Sequence, residues 1–520
     1  MRLLKQIYSP TILFTAFRVQ ISIACGLILS FLVGMLMDHN FSVNAPLLLG
    51  ALIAFIIHML GRIQKRENRK VSFKEGVIII MHTWMIAACI SGLVFYLSGF
   101  PNNQESLTTI QIIVDVVFES ISGFTTTGST ILTNIEVYPA GVLFWRALTH
   151  WIGGMGVFFM AVTILRGKNI KRSHDIVVAE METPDKVHYE NESVAYQSGI
   201  YFLKIYTFLT VVMFLLLVVS GYFFRTEPYP SVVNDIYDAA IHAVSTLGTG
   251  GFSNYNTSAA GLQNPISEWI IASFMMFGGI NLGLWYMGIF GNSKERKSLI
   301  KNSELKWYVG IIAILVVSIA GGLFFQSIYH TAEEDIRQAF FAVTTIMSTT
   351  GLVSGNFSGW PFSILGILFF AYLIGGSVGS TGGGLKVKRL LIFFKFALKE
   401  IHTYLKGGET RSIKVDGVAY NAHDIAVILI NIGIYFGAIF IGTALIMVVS
   451  SNVDFTSGFM AAIASVGNIG PGLMAGTVDN SAVGNYASFS LLAKLIMIPL
   501  MLLGRVGFLN LLVLFNKEDD

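Results

Sequence analysis

The chain has 520 residues, of which 54% are apolar and 12% charged, and its formal net charge is +3. An average soluble domain carries about twice that charged share, so the composition indicates a polytopic membrane protein. It leaves no stretch long or regular enough for a soluble catalytic domain, and nothing in it points to nucleic acid. The two cysteines, Cys25 and Cys89, lie in apolar runs and offer neither a disulfide framework nor a metal-ligand cluster, so they read as packing residues.

In chain order, Val19–Met37 is the first apolar run. With no small-residue cleavage site after it, it reads as a retained helix and not as a signal peptide. Pro46–Leu60 falls short of the roughly 17 residues a span needs and is expected to pack against the first. Val77–Leu97 spans; Ile110–Phe124 is too short to cross and too apolar for a surface loop, so it is expected to re-enter; Val142–Leu165 spans. The pattern recurs with Ile200–Phe224, re-entrant Ile236–Thr246 and a single span over Trp269–Phe290. It recurs again with Tyr308–Phe325, re-entrant Ile336–Met347, and Phe362–Ile374, which runs into a glycine-rich stretch before Leu385–Leu398 resumes. The last copy is Ile425–Val449, re-entrant Phe459–Ser465 and Leu491–Phe515. The reading is an all-α polytopic protein of four helix–pore-helix–helix repeats around one pore, preceded by two extra transmembrane helices. Its divisions are 1–74 for the extra helices, 75–172 for repeat one, 173–199 for a linker, and 200–306, 307–414 and 415–520 for the other repeats.

The distribution of Lys and Arg gives this layout a sidedness. Arg62–Lys74, Arg166–Arg172, Lys294–Lys306 and Lys386–Lys414 are basic and fall on one side, whereas the opposite loops carry no Lys or Arg apart from Arg225 and Arg337 at their margins. By the positive-inside rule both termini are cytoplasmic and every re-entrant segment enters from outside.

Each re-entrant segment ends in a related stretch: Phe124-Thr125-Thr126-Thr127-Gly128, Gly248-Thr249-Gly250-Gly251-Phe252, Met347-Ser348-Thr349-Thr350-Gly351 and Gly467-Asn468-Ile469-Gly470-Pro471. The four glycines Gly128, Gly251, Gly351 and Gly470 recur every 100 to 120 residues or so, the period of repeated membrane modules. Irregular backbone at membrane depth survives only where protein buries it or it lines an aqueous path. Four such segments converging on one axis would form a ring of carbonyls able to replace the hydration shell of a cation, with threonine hydroxyls adding further oxygens. Asp115, Glu119, Asp235, Asp238, Asp335 and Asp454 lie near the starts of the short helices and are expected to cap their N-termini. For any one glycine the competing reading is close packing by a small residue; four at matching places favour the filter.

These stretches, with Phe118–Phe124, Phe144-Trp145-Arg146, Trp151–Gly156, Gly375–Lys386 and Asn468–Leu473, resemble the Trk/Ktr/HKT superfamily of potassium transporters, and within it the TrkH-like branch. The resemblance covers nearly the whole chain. It implies K⁺ as the transported ion and no organic cofactor. It implies a selectivity filter at Gly128, Gly251, Gly351 and Gly470, with ion-contacting carbonyls from Thr126, Thr127, Thr249, Gly250, Thr349, Thr350, Asn468 and Ile469. None of the four glycines is replaced by Ser, the change in the first repeat that accompanies sodium transport in plant relatives. It also implies a homodimer in the bacterial cytoplasmic (inner) membrane, controlled by a cytoplasmic TrkA-like nucleotide-binding subunit.

Read alone, Gly375-Gly376-Ser377-Val378-Gly379-Ser380-Thr381-Gly382-Gly383-Gly384 is a hinge or a close-packed break, because each glycine in a helix costs about 1 kcal/mol relative to Ala. The resemblance implies a gate there, obstructing the pore beneath the filter. Arg505 lies deep in an apolar run and is expected to face a cavity or a partner; the resemblance makes it an electrostatic barrier paired with that loop. Lys386 either positions the loop or marks the membrane interface. Arg146, with His150 one turn on, is expected to brace a filter segment or a pore-helix carbonyl and not to meet the ion. A nucleophile elbow at Gly375–Gly379 and a phosphate loop at Gly379–Lys386 fail for want of a preceding strand. The function read from the sequence is therefore gated potassium uptake and not catalysis, the alternative being a Na⁺- or H⁺-coupled carrier of a small solute.

Overall fold

The computed structural model describes residues 10–64, 73–101, 106–165, 192–224, 231–406, 413–451, 453–472 and 485–507. Much of the linker at 173–199, the basic run Arg166–Arg172, Arg225 and the chain after residue 507 lie outside these residues. The described residues form seventeen α-helices and one short antiparallel hairpin. α1 (Pro10–Met37) and α2 (Phe41–Ile63) are the two extra helices, and the repeats follow. Repeat one is α3 (Phe73–Leu97), α4 (Thr109–Phe124) and α5 (Ala140–Leu165). Repeat two is α6 (Glu192–Phe224), α7 (Val232–Leu247), α8 (Pro265–Gly278) and α9 (Leu282–Ile289), with α10 (Ser293–Lys301) leading onward. Repeat three is α11 (Ser303–Phe325), α12 (Ala332–Met347), α13 (Phe362–Tyr372) and α14 (Val387–Lys406). The hairpin of β1 (Ile413–Val415) and β2 (Val418–Tyr420), with Lys414 opposite Ala419, leads to repeat four, α15 (Ala422–Val449), α16 (Phe455–Gly467) and α17 (Leu491–Val506).

Among the described residues six helices are long and apolar enough to cross a membrane, or seven if α8 and α9 count as one bent span. α2 is one of them. Its 23 residues overturn the expectation of a short Pro46–Leu60 helix, because Asn40 caps it through the amides of Ser42 and Val43, and Pro46 falls early in it. Asn44 donates to Asp38 and to the Asn40 carbonyl, so its polar first turn is satisfied. Cys25 and Cys89 are exposed on the outer faces of α1 and α3 and do not serve as core packing.

The short helices α4, α7 and α12 have 16 residues each and α16 has 13, about 24 Å and 20 Å of rise, too little to cross. Hydroxyls cap three of them: Thr108, Ser231 and Thr331 accept from the third helical amide, and Thr108 forms a capping box with Gln111. Three of the six carboxylates expected to cap them do other work. Asp115 and Glu119 lie inside α4, and the Asp115 carboxylate holds Lys494 of α17 at 2.7 Å. Asp238 accepts from Asn254 and Tyr255. Asp235 and Asp335 fall in the first turns of α7 and α12, and Asp454 stands at the cap position of α16 without a side-chain cap hydrogen bond.

The repeats close into a cycle. α5 packs on α7, α8 on α12, α13 on α16, and α17 returns to α4, so each repeat's last helix supports the next repeat's short helix. The buried Lys494–Asp115 pair fixes that return.

One predicted span is broken. Trp269–Phe290 is two helices bent by 104° at Gly279-Ile280-Asn281. Asn281 starts α9 by accepting from Gly283, and the Gly279 carbonyl accepts from Ser377. A Cβ at Gly279 would collide with the buried Tyr308 hydroxyl, which itself donates to the Met276 carbonyl. Gly279→Ala is therefore expected to lower the thermal unfolding midpoint in detergent. Gly310→Ala in α11, where no atom lies within 4 Å of the added carbon, is expected to leave it unchanged or raise it slightly, since Ala is favoured over Gly in a helix by roughly 0.5–1 kcal/mol.

Candidate functional site

The four short helices end in one and the same backbone turn. The first residue past each turn donates its amide three residues back: Thr126 to Gly123, Thr249 to Thr246, Thr349 to Ile346 and Asn468 to Ser465. The next donates five back: Thr127 to Ser122, Gly250 to Ser245, Thr350 to Thr345 and Ile469 to Ala464, at 2.8–3.1 Å. This is the Schellman arrangement, and it puts Thr126, Thr249, Thr349 and Asn468 in the left-handed region at φ 51° to 59°. That region costs a β-branched residue roughly 1–2 kcal/mol, so three threonines there are held by their surroundings. Two residues on, Gly128, Gly251, Gly351 and Gly470 adopt φ 78° to 95°. Side chains that differ among the repeats sit on one common path of the chain.

The turns meet in a closed ring. A Cβ on Gly128 would collide with the carbonyl oxygen of Gly250, one on Gly251 with that of Thr350, one on Gly351 with that of Ile469, and one on Gly470 with that of Thr127. Each glycine thus abuts the carbonyl of the next repeat's central residue, and repeat four returns to repeat one. Both the positive φ and the missing space demand glycine at all four positions. The threonine hydroxyls do not all join the carbonyls: Thr127 pairs with Thr125 at 2.7 Å and Thr350 with Ser348 at 2.6 Å, and Thr249 donates to Gly248.

Buried side chains hold the chain after each glycine. Glu119, fully buried, accepts from the Thr130 hydroxyl, the Ile131 amide and Arg146 Nε at 2.6 Å. Arg146 also donates to the Ser253 carbonyl at 3.1 Å and lies over the Phe252 ring at 3.5 Å. It therefore braces the outgoing chains of repeats one and two, as expected of it. His150 hydrogen-bonds the Gly123 carbonyl through Nδ1. In repeat four, Ser129 and Tyr486 both donate to the Gly470 carbonyl, and Tyr372 donates to that of Pro471. Beside these glycines, Gly128 and Gly251 share a cavity with Thr130, Arg146, Ser253, Asn256 and Asn485.

The glycine-rich loop between α13 and α14 lies against the other end of the turns. Gly383 donates its amide to the Thr349 hydroxyl at 2.7 Å, and a Cβ at Gly382 or Gly383 would press on the Ser348 or Gly467 carbonyl. Gly376 and Gly379 abut Gly279 and Asn281, and Gly384 abuts Gly375. The loop is tied to the break in repeat two: Ser377 donates to Gly279, Leu282 to Gly379, and the Thr381 hydroxyl to Gly278. Ser380 closes a local turn on the Ser377 carbonyl, Lys386 donates to that of Gly382, and Gly375 to that of Leu385. Arg505 donates to the Thr381 carbonyl and, through its other nitrogen, to Gly153 at 2.9 Å and Gly154 at 3.2 Å. Every residue expected in the loop group except Gly384, which abuts Gly375, is thereby part of one hydrogen-bonded layer that touches all four repeats.

Sequence reasoning missed Glu304, which accepts from the Val378 amide at 2.7 Å, and the Asn281 break. An acidic residue opening a span and a Gly-Gly-x-Asn run were the available signals.

Fold and ring together define a multi-pass membrane protein built round one four-repeat axis. Residues 47–520 match the sequence model of the TrkH family, described as cation transport protein, and the chain belongs to that family. It is 33% identical over 455 residues to the Trk system potassium uptake protein TrkH of Salmonella typhimurium, with 87% of each chain covered. It is 33% identical over 461 residues, 88% of each chain, to the protein of that name in Escherichia coli K12. Its fold is similar to that of the potassium transporter TrkH from Vibrio parahaemolyticus, with a TM-score of 0.80, 98% of each chain covered and 22% identity. The relatives are transporters, and the chain is not an enzyme.

Removing one partner of a buried ion pair strands the other charge at a cost of about 3–5 kcal/mol. Arg146→Met is thus expected to lower the unfolding midpoint sharply, and Glu119→Gln/Arg146→Met to recover part of the loss. Equal midpoints for both variants would contradict the brace.

Proposed function

We propose that the chain takes up potassium through the ring formed at Gly128, Gly251, Gly351 and Gly470. The observation that carries this reading is the cyclic contact of four identical turns, which brings the Thr127, Gly250, Thr350 and Ile469 carbonyls into one ring. Backbone oxygens are strong neutral ligands for a dehydrated monovalent cation. The carbonyls of Thr126, Thr249, Thr349 and Asn468 form the layer next to them. The negative ends of the four short helices face the same place and favour positive charge. The printed names of the relatives, potassium uptake proteins, agree with this cargo.

The loop Gly375–Gly384, with Lys386 and Arg505, is the gate in this reading. It occupies the path under the ring, and the Arg505 guanidinium adds a positive charge where a cation would leave. The ring faces outward and both termini are cytoplasmic by the distribution of Lys and Arg, and the likeness to bacterial Trk uptake proteins favours the inner membrane. The chain acts as a homodimer. A cytoplasmic nucleotide-binding subunit of the TrkA type opens the gate, in keeping with the naming of the relatives as parts of a Trk system.

Liposomes containing only the purified chain test this. Expected are fluxes of K⁺ and Rb⁺ above that of Na⁺, loss of the preference in Gly128→Ser and Gly351→Ser, and a larger flux in Arg505→Ala. Absence of flux for every monovalent cation, with the regulatory subunit supplied, would contradict the reading.

A further inference from the structure

The residue at the left-handed position is threonine in three repeats and Asn468 in the fourth. Asparagine suits that conformation, yet its side chain does more than permit it. Asn468 is fully buried, and its Nδ2 donates to the Thr127 hydroxyl of repeat one at 2.9 Å and to the Met501 carbonyl of α17 at 2.9 Å. The Met501 carbonyl can only accept, which fixes the amide nitrogen on that side. Thr127 then passes its own proton to Thr125, and Thr125 donates to the Ile121 carbonyl at 2.7 Å. The two donor hydrogens of Asn468 thus link the last helix to the central residue of the first filter turn, and the hydrogen bonds continue from Thr127 to the end of α4.

The other end of the carboxamide faces the occluding layer. Asn468 Oδ1 has no hydrogen-bond partner. A Cβ at Gly383 in the loop would lie 2.9 Å from it, and one at Gly504 2.7 Å. Met501 is one helical turn before Arg505, whose guanidinium holds the Thr381 carbonyl of the loop. Asn468 therefore touches the ring, the loop and the helix that carries the arginine.

We propose that the Asn468 side chain is a positioning residue that couples occlusion to ion discrimination, resting on the filter reading above. When Arg505 leaves the loop and its turn of α17 shifts, the Met501 carbonyl leaves Asn468. Thr127 then loses a fixed donor, and the first carbonyl of the ring loses its set position. Opening below the ring and loosening of the ring are then one event.

The test uses the full chain in liposomes and reads the ratio of K⁺ to Na⁺ flux. Asn468→Asp keeps the shape and the tolerance of positive φ but removes the donor, and Asn468→Gly keeps only the backbone freedom. Both are expected to lower the ratio about fivefold, the effect of losing one hydrogen bond of ordinary net worth. Thr127→Val, which removes the acceptor, is expected to add little to Asn468→Asp in the double variant. Ratios within twofold of wild type for both Asn468 variants would leave the residue a conformational role alone and overturn the proposal. If those variants do not fold, Arg505→Ala decides it: a larger flux with a lower ratio supports the coupling, and a larger flux with an unchanged ratio overturns it. A wild-type chain that passes K⁺ and Na⁺ equally would instead remove the filter reading, and the coupling with it.

Discussion

The structure depends on the contact between four left-handed glycines and four carbonyl oxygens. At those positions no side chain fits, and the backbone is irregular at a depth where unpaired amides are costly. The Schellman turns use the last free carbonyls of each short helix to bond the amides that follow, which leaves the carbonyls of the next residues without helical partners. Much of the remaining architecture holds this arrangement shut. The cyclic packing of α5 on α7, α8 on α12, α13 on α16 and α17 on α4 presses the turns together. The buried pairs Glu119–Arg146 and Asp115–Lys494 fix the first repeat between its two neighbours.

The same backbone logic explains the layer underneath. A helix broken at membrane depth releases carbonyls and amides that water cannot reach, and two breaks placed side by side can satisfy each other. Gly279 and Leu282 in repeat two exchange bonds with Ser377 and Gly379 in repeat three. Arg505 and Glu304 complete the set by bonding the Thr381 carbonyl and the Val378 amide. A layer that is satisfied mainly by its own members can move as a unit, which suits a gate.

How much of this the sequence carried varies with the kind of signal. The four repeats were legible because hydropathy, short amphipathic runs and the Gly spacing agree. The break at Gly375–Gly384 was legible because its glycines are dense. The break at Gly279 was not: Trp269–Phe290 is apolar throughout, and hydropathy averages over a bend made by three residues. The length of α2 was hidden by Ser42 and Asn44, whose polarity is absorbed by neighbours that only the fold supplies. The carboxylates of α4 are near enough to a helix start to look like caps, but Asp115 and Glu119 belong to partners 379 and 27 residues away along the chain. Lys494 and Arg146 cannot be paired with them by spacing. The residues of the ring were named from the sequence; that their glycines and carbonyls alternate round a closed cycle is a property of the fold alone.

The most direct measurement is the anomalous scattering of Rb⁺ or Tl⁺ in crystals of the protein grown with either ion in place of K⁺. The account predicts a peak on the axis, enclosed by the carbonyl oxygens of Thr127, Gly250, Thr350 and Ile469. An empty axis at a saturating ion concentration, with bound ions only elsewhere on the protein, would contradict it.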